Sequence, residues 1–335
     1  MIQYNQTVKG TFNGIQIIEY GMKNQELEVR FLNIGGCLTK VALAADDYAQ
    51  NLVLNYQNVE SYLENGCYLN AIIGRTANRI KNGTFTLNNK TYQLDINNGP
   101  NNLHGGAECL SDANFAIETI DSGYRLTATL PHQEAGFPGN LTATIDYILK
   151  GNQFIVAYSA ITDQDTLANF TQHAYFNLAG NGSTTVDKHE LQIKASHVAE
   201  IDKTQAFTTT WVPVEHTLFD FNQPTLIDPT NKEKTELFNL ASGYDHLYLL
   251  SDTKDVVTFK DLNSGRTLTV STTAPAMQFY TGNFLTNELL FENNRQGEPR
   301  LGVCFETHLV PFDIESQVLK SGETYRASTT FTFTK

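Results

Sequence analysis

The run Leu141-Thr-Ala-Thr-Ile-Asp-Tyr-Ile-Leu149 is followed, after Lys150-Gly-Asn152, by Gln153-Phe-Ile-Val-Ala-Tyr-Ser-Ala-Ile161. Both runs alternate. Leu141, Ala143, Ile145, Tyr147 and Leu149 share one parity, and Phe154, Val156, Tyr158 and Ala160 do the same in the second run. Side chains of an extended chain point to opposite faces in turn, so each run has one apolar face and one wetter face. Gly-Asn between them suits a reversal, and the pair reads as two long strands of one antiparallel sheet.

The same period recurs on both sides, in Leu27–Ile34, Tyr124–Leu130, Arg266–Thr272 and Thr324–Thr334. Thr84–Leu87 and Thr91–Leu94 flank Asn88-Asn89 and predict a compact hairpin. Helical patterns are confined to Asn58–Asn65 and Thr235–Ala241. Many short strands with turn signals and almost no helix predict an all-β fold, a large antiparallel β-sandwich with few short helices. No composition break, repeat or low-complexity linker divides the chain, so residues 1–335 are expected to form a single domain. The surplus length is expected in loops, where sites are built.

The 335 residues carry 23 Lys+Arg against 36 Asp+Glu, a net charge of −13. Nucleic acid and anionic membrane surfaces are disfavoured as partners, because their phosphates repel such a surface. No apolar run reaches the ~20 residues of a membrane helix, and no basic-then-apolar leader opens the chain. Cys37, Cys67, Cys109 and Cys304 have no metal or redox spacing and read as free thiols of a cytoplasmic protein.

Six segments carry polar residues where packing alone does not ask for them. In Gly74-Arg-Thr-Ala-Asn-Arg-Ile80, Arg75 and Arg79 are either surface ion-pair partners or guanidinium forks for ligand oxygens. In Asn97–Gly106, His104 precedes two glycines, as though its backbone passes close to something. His173 opens an aromatic-flanked run and alone would read as a core histidine. Asp245 and His246 precede an apolar strand, where a turn aspartate capping its own backbone is the plain reading. Gln278 lies among aromatics, a lining common to sugar sites and ordinary cores. Glu306 interrupts the apolar strand Leu301–His308, an expensive place for a carboxylate unless it is paired or functional. No Gly-x-Ser-x-Gly elbow, phosphate loop or His/Cys metal cluster competes. His132, His189, His197 and His216 have no partners at ligand spacing and read as surface or structural. What is left is proton transfer by Glu and His with help from Arg, Asp and Gln.

With these segments in view, the chain resembles the aldose 1-epimerase (galactose mutarotase) family. The resemblance rests on an ordered series: Gly-Arg-Thr-Ala-Asn-Arg-Ile at 74–80, Asn-Asn-Gly-Pro-Asn-Asn-Leu-His-Gly-Gly at 97–106, Gly-Phe-Pro-Gly-Asn-Leu at 136–141, and His-Ala-Tyr-Phe-Asn-Leu at 173–178. Val-Pro-Val at 212–214, Gly-Tyr-Asp-His at 243–246, Gln-Phe-Tyr-Thr-Gly-Asn-Phe at 278–284 and Phe-Glu-Thr at 305–307 complete it. The resemblance implies a β-supersandwich with an open sugar cleft, and interconversion of the α and β anomers of a free aldose such as glucose or galactose. It implies Glu306 as general base and His173 as general acid. It gives His104, Asp245, Arg79, Asn78 and Gln278 to the sugar hydroxyls and ring oxygen. No metal and no cofactor is implied; a monomer or homodimer is expected.

Two further expectations follow. At pH 7 an ordinary glutamate is ionised and suits a base, whereas an ordinary histidine is mostly neutral. Nearby carboxylates, Glu306 and Asp245, are therefore expected to raise the pKa of His173. Second, many relatives continue the glutamate strand as Glu-Thr-Gln-His-Phe-Pro-Asp with a longer loop. Here Glu306-Thr-His-Leu-Val-Pro-Phe-Asp313 runs quickly into Val318-Leu-Lys-Ser-Gly-Glu323, which predicts a different rim to the cleft.

Overall fold

The computed structural model describes residues 1–230 and 232–335. The decisive hairpin forms as two strands, Leu141–Lys150 and Gln153–Thr162, paired antiparallel from Lys150–Gln153 to Leu141–Thr162. Gly151 takes the left-handed conformation at the reversal, φ 58°. These strands sit inside a nine-stranded antiparallel sheet whose neighbours include Gly123–Leu130 and the closing strand Tyr325–Thr334. The apolar parity of both runs is buried, as alternation requires.

Two smaller sheets cover the inner face of the nine-stranded one. A four-stranded sheet (Gln3–Phe12, Ile15–Lys23, Leu27–Leu32, Leu38–Leu43) packs Phe31 edge-on against Tyr147, ring centroids 4.9 Å apart. A five-stranded sheet packs Phe305 against Phe259 of the large sheet at 5.5 Å. Its order is Phe207–Pro213, Ala195–Ile201, Asp245–Leu250, Ala276–Tyr280, Cys304–His308. Residues of all three sheets share one continuous apolar cluster. The buried Tyr147 hydroxyl lies within hydrogen-bond distance of the Gly36 carbonyl (2.7 Å) and Gln172 Oε1 (2.6 Å), so burying it does not strand its proton.

Among the described residues the α-helix is a single short one, Glu236–Leu240, with the Thr235 side chain accepting from the Phe238 amide. The other helical pattern settles as a 3₁₀ helix, Val59–Glu64. The hairpin around Asn88-Asn89 forms as expected, Thr84–Leu87 with Lys90–Gln93.

What matters for the site is the free face of the five-stranded sheet. Glu306 lies directly across from Gln278, and Asp245 from Tyr280. Alternation puts Asp245, Gln278, Tyr280, Cys304 and Glu306 on that face, and sends His246, Phe279 and Phe305 to the core. Loops and two-residue strand pairs such as Arg79–Ile80 with Asn102–Leu103 cover this face.

Candidate active site

Three chain segments bring the remaining residues over the carboxylate. The pair Thr171–Gln172 zips onto Ile72–Ile73, and the chain then holds His173 by its backbone, N–H to the Ala71 carbonyl (2.9 Å) and C=O from the Asn70 amide (3.1 Å). Asn78 and His104 both occupy the left-handed region, φ 64° and 55°. They are tied reciprocally: the His104 amide donates to the Asn78 carbonyl (3.1 Å), and the Asn78 amide donates to His104 Nδ1 (3.2 Å). Gly105, φ 92°, follows because a Cβ there would lie 2.8 Å from the backbone of Gly74 and Arg75. The close backbone approach expected beside His104 is this one.

The result is a cavity of about 570 Å³ lined by Asn78, Arg79, His104, His173, Asp245, Gln278 and Glu306. The seven residues that the resemblance gives to the site all line one hollow. Aromatic and apolar groups complete it, with Tyr68, Tyr175 and Tyr280 inside and Phe284, Leu289 and Tyr56 also on the wall. The hollow is large enough for a hexose with room to spare.

His173 Nε2 lies 3.5 Å from Glu306 Oε1, and both side chains are almost wholly buried, 5% and 2% exposed. Cys304 Sγ lies 3.5 Å from the other ring nitrogen. The His104 ring stands edge-on to His173 (centroids 5.3 Å) and to Tyr68 (4.7 Å). Gln278 donates to Asp245 Oδ1 at 2.6 Å. Among the described residues, Gln278 Oε1 and Glu306 Oε2 are buried without a protein partner. Such orphan acceptors are costly in a core, and in a site they mark where a ligand's hydroxyls are wanted.

The electrostatics correct one expectation. Burial lowers His173 to about 4, opposed only by a hydrogen bond to its own carbonyl; neighbouring carboxylates do not raise it. Glu306 itself is raised, first by burial and then by Asp245, against a smaller opposing pull from Arg79. Asp245 is raised by burial, with Arg79 and Gln278 opposing. A carboxyl held toward its neutral form offers little charge to stabilise an imidazolium, so desolvation wins on both partners. His104 is also lowered, by burial, then by His173, Arg79 and His308.

The side-chain donors of His104, His173 and Glu306 come within 4.8 Å of one another, close enough for a metal ion. The Asn78 amide argues against that use. It occupies His104 Nδ1 as acceptor, which puts the ring proton on Nε2, the nitrogen left for the cavity. A protonated nitrogen donates hydrogen bonds; it does not ligate.

Two expectations about loops also change. Arg75 is neither a surface ion-pair partner nor a ligand fork. It is 2% exposed and outside the cavity, donating to the carbonyls of Pro138 (2.8 Å), Leu130 (3.0 Å) and Pro131 (2.7 Å) and to Thr166 Oγ1 (3.2 Å). And residues 307–313 do not form the rim. Phe312 packs on Phe207 and Trp211 at the sheet edge, centroids 5.6 and 5.5 Å. The lining comes instead from Glu64–Tyr68 and Phe284–Leu289. His132, His189, His197 and His216 stay out of the cavity; His189 is buried flat against Phe259 at 4.9 Å.

The aldose 1-epimerase family model matches residues 19–332. The chain belongs to the aldose 1-epimerase family. It is accordingly an isomerase. It is 34% identical to the galactose mutarotase of Sus scrofa over 99% of both chains, and 31% identical to the aldose 1-epimerase of Escherichia coli K12, covering 92% of this chain and 93% of that one. In structure it is similar to a galactose 1-epimerase from Lactobacillus acidophilus, TM-score 0.89 at 25% identity, over 100% and 99% of the two chains. The family accounts for the mutarotase-like supersandwich, but sequence reading missed several members of this cavity. Tyr68 (φ 54°), Cys67 and Gln205 (φ 63°) sit on irregular loops whose residue types carry no periodic signal.

Proposed function

We propose that this aldose 1-epimerase interconverts the α and β anomers of free aldoses such as glucose and galactose, with Glu306 as base and His173 as acid. The observation that carries it is the pair itself: two buried proton-transfer groups 3.5 Å apart in a sugar-sized hollow. Glu306 takes the proton of the C1 hydroxyl, C1=O forms, the C1–O5 bond breaks, and O5 takes the proton of His173. Rotation about C1–C2 and the reverse steps close the ring on the other face. The Nε2–H of His104, the Arg79 guanidinium and the Asp245–Gln278 pair hold the sugar's oxygens, and the Asn78 backbone keeps His104 in its donor form.

Proton bookkeeping supports this assignment. Burial favours a neutral carboxyl and a neutral imidazole, one proton between the two groups. The reactive form, carboxylate and imidazolium, holds the same one proton. Sugar hydroxyls donating to Glu306, with the Arg79 cation, draw the pair to that ionised form. Ring opening returns it to the neutral one. No proton need enter or leave a buried site during turnover.

Polarimetry on freshly dissolved α-D-galactose and α-D-glucose tests the reading. The protein should speed the decay of optical rotation catalytically. A protein that binds either sugar and leaves the spontaneous decay unchanged would refute it.

A further inference from the structure

Arg79 is held in an unusual way. Neither of the side chains that grip it is a carboxylate. Its Nε donates to Asn98 Oδ1 at 2.9 Å and its Nη2 to Gln205 Oε1 at 2.7 Å. Neutral amides fix the plane of a guanidinium without neutralising it, so the full cation and the remaining Nη1 are left for the cavity. Asn98 belongs to the same loop system as Arg79. Gln205 does not: it comes from the turn between Ala195–Ile201 and Phe207–Pro213, at the far edge of the five-stranded sheet.

That turn is itself built to stay put. The Gln205 amide donates to the Asp202 carbonyl (2.8 Å), and Thr204 donates through both its amide (2.8 Å) and its hydroxyl (2.6 Å) to Asp202 Oδ1. Lys81 reaches across to Asp202 at 2.7 Å, and Asn101 donates to the Thr204 carbonyl at 3.1 Å. Gln205 Nε2 is anchored on the Leu240 carbonyl at 3.3 Å. The carboxamide is thus fixed at one end, and its oxygen points at Arg79. At φ 63° the residue is held where an unbranched side chain is strained, and strain of this kind persists where the surroundings over-determine it.

We infer that Gln205 is a positioning residue for the sugar-binding cation: it aims Arg79 across the cavity while leaving its charge intact. The inference rests on the proposed role of Arg79. Its consequence is specific to substrate handling, because Gln205 touches the guanidinium and not the proton-transfer pair.

Steady-state polarimetry on Gln205→Ala, Arg79→Ala, the double variant and Gln205→Glu tests it, with thermal melting alongside. Gln205→Ala is expected to raise KM by about fivefold or more while changing kcat less, within the usual range for groups sharing one hydrogen-bond network. The double variant should be no worse than Arg79→Ala alone. Gln205→Glu still accepts from the guanidinium but pairs its charge and loses the donor to the Leu240 carbonyl, so it should leave KM raised; a KM restored to normal would overturn the charge-sparing part of the inference. If Arg79→Ala raises KM and Gln205→Ala does not, or if the two losses multiply in the double variant, the inference is overturned with the sugar-site reading intact. If Arg79→Ala itself is silent, the reading of Arg79 falls and takes the inference with it.

Discussion

Phe305 and Glu306 are neighbours on one strand, and each represents one face of the five-stranded sheet. Phe305 turns inward, stacks on Phe279 at 5.8 Å, and meets Phe259 of the large sheet. It is buried in the apolar cluster shared by the three sheets. Glu306 turns outward, 2% exposed, with one oxygen near His173 and the other unpartnered among the described residues. The inner face is finished without a ligand; the outer face is not. Stability and chemistry are therefore separable by the parity of a residue in its strand, and substitutions at adjacent positions should fail in different assays.

The largest effect is expected at Glu306. Glu306→Gln should lose about 10²–10⁴ in kcat, the usual worth of a general base. Its melting temperature should hold or rise, since a buried, half-satisfied carboxyl destabilises the fold. Near-normal turnover would move the base elsewhere. Phe305→Ala should do the opposite, costing about 3–5 kcal/mol in urea unfolding; a loss below 1 kcal/mol would mean the inner face is not the packed one.

The two arginines of Gly74–Ile80 sharpen the same contrast off the sheet. Arg75→Met leaves three carbonyls, two of them buried, without their donor and should cost about 2–3 kcal/mol, with KM of the folded protein little changed. Arg79→Ala should spare stability and raise KM. Reversed outcomes would exchange their roles.

The smallest effect is in pH. His246, on the inner face, and His189 are both lowered to about 4 by burial. A histidine depressed in the fold is protonated first in the unfolded chain, so stability falls as pH drops from 6.5 toward 4 and is level above 6.5. Urea titrations at pH 7 and 5.5 should differ by roughly 1 kcal/mol per such histidine. On the outer face, activity should stay level as pH falls through 6.5, because His173 takes no second proton until about 4. A limb of kcat/KM at 6.5 would show an ordinary histidine in the site.

Much of this was legible in the residues. Alternation in Leu141–Ile161 and its relatives declared the sheets, because a half-buried strand leaves a period of two. Glu306 stood out because an apolar strand makes a carboxylate conspicuous. Arg75 and Arg79 could not be told apart, since four residues of loop carry no period and only the fold decides which guanidinium meets carbonyls. Gln205 left no trace, as its partner lies 126 positions away in the chain. The direction of the His173 shift was missed for a related reason. Carboxylates can be counted in a sequence, whereas desolvation belongs to the assembled cavity.

The central claim is that Glu306 and His173 share one proton and act as a unit. The direct measurement is kcat by polarimetry for Glu306→Gln, His173→Asn and the variant carrying both. The expected result is that each single change costs about 10² or more and that the double variant is scarcely slower than the worse single one. Losses that multiply in the double variant would mean two groups working independently, and would contradict it.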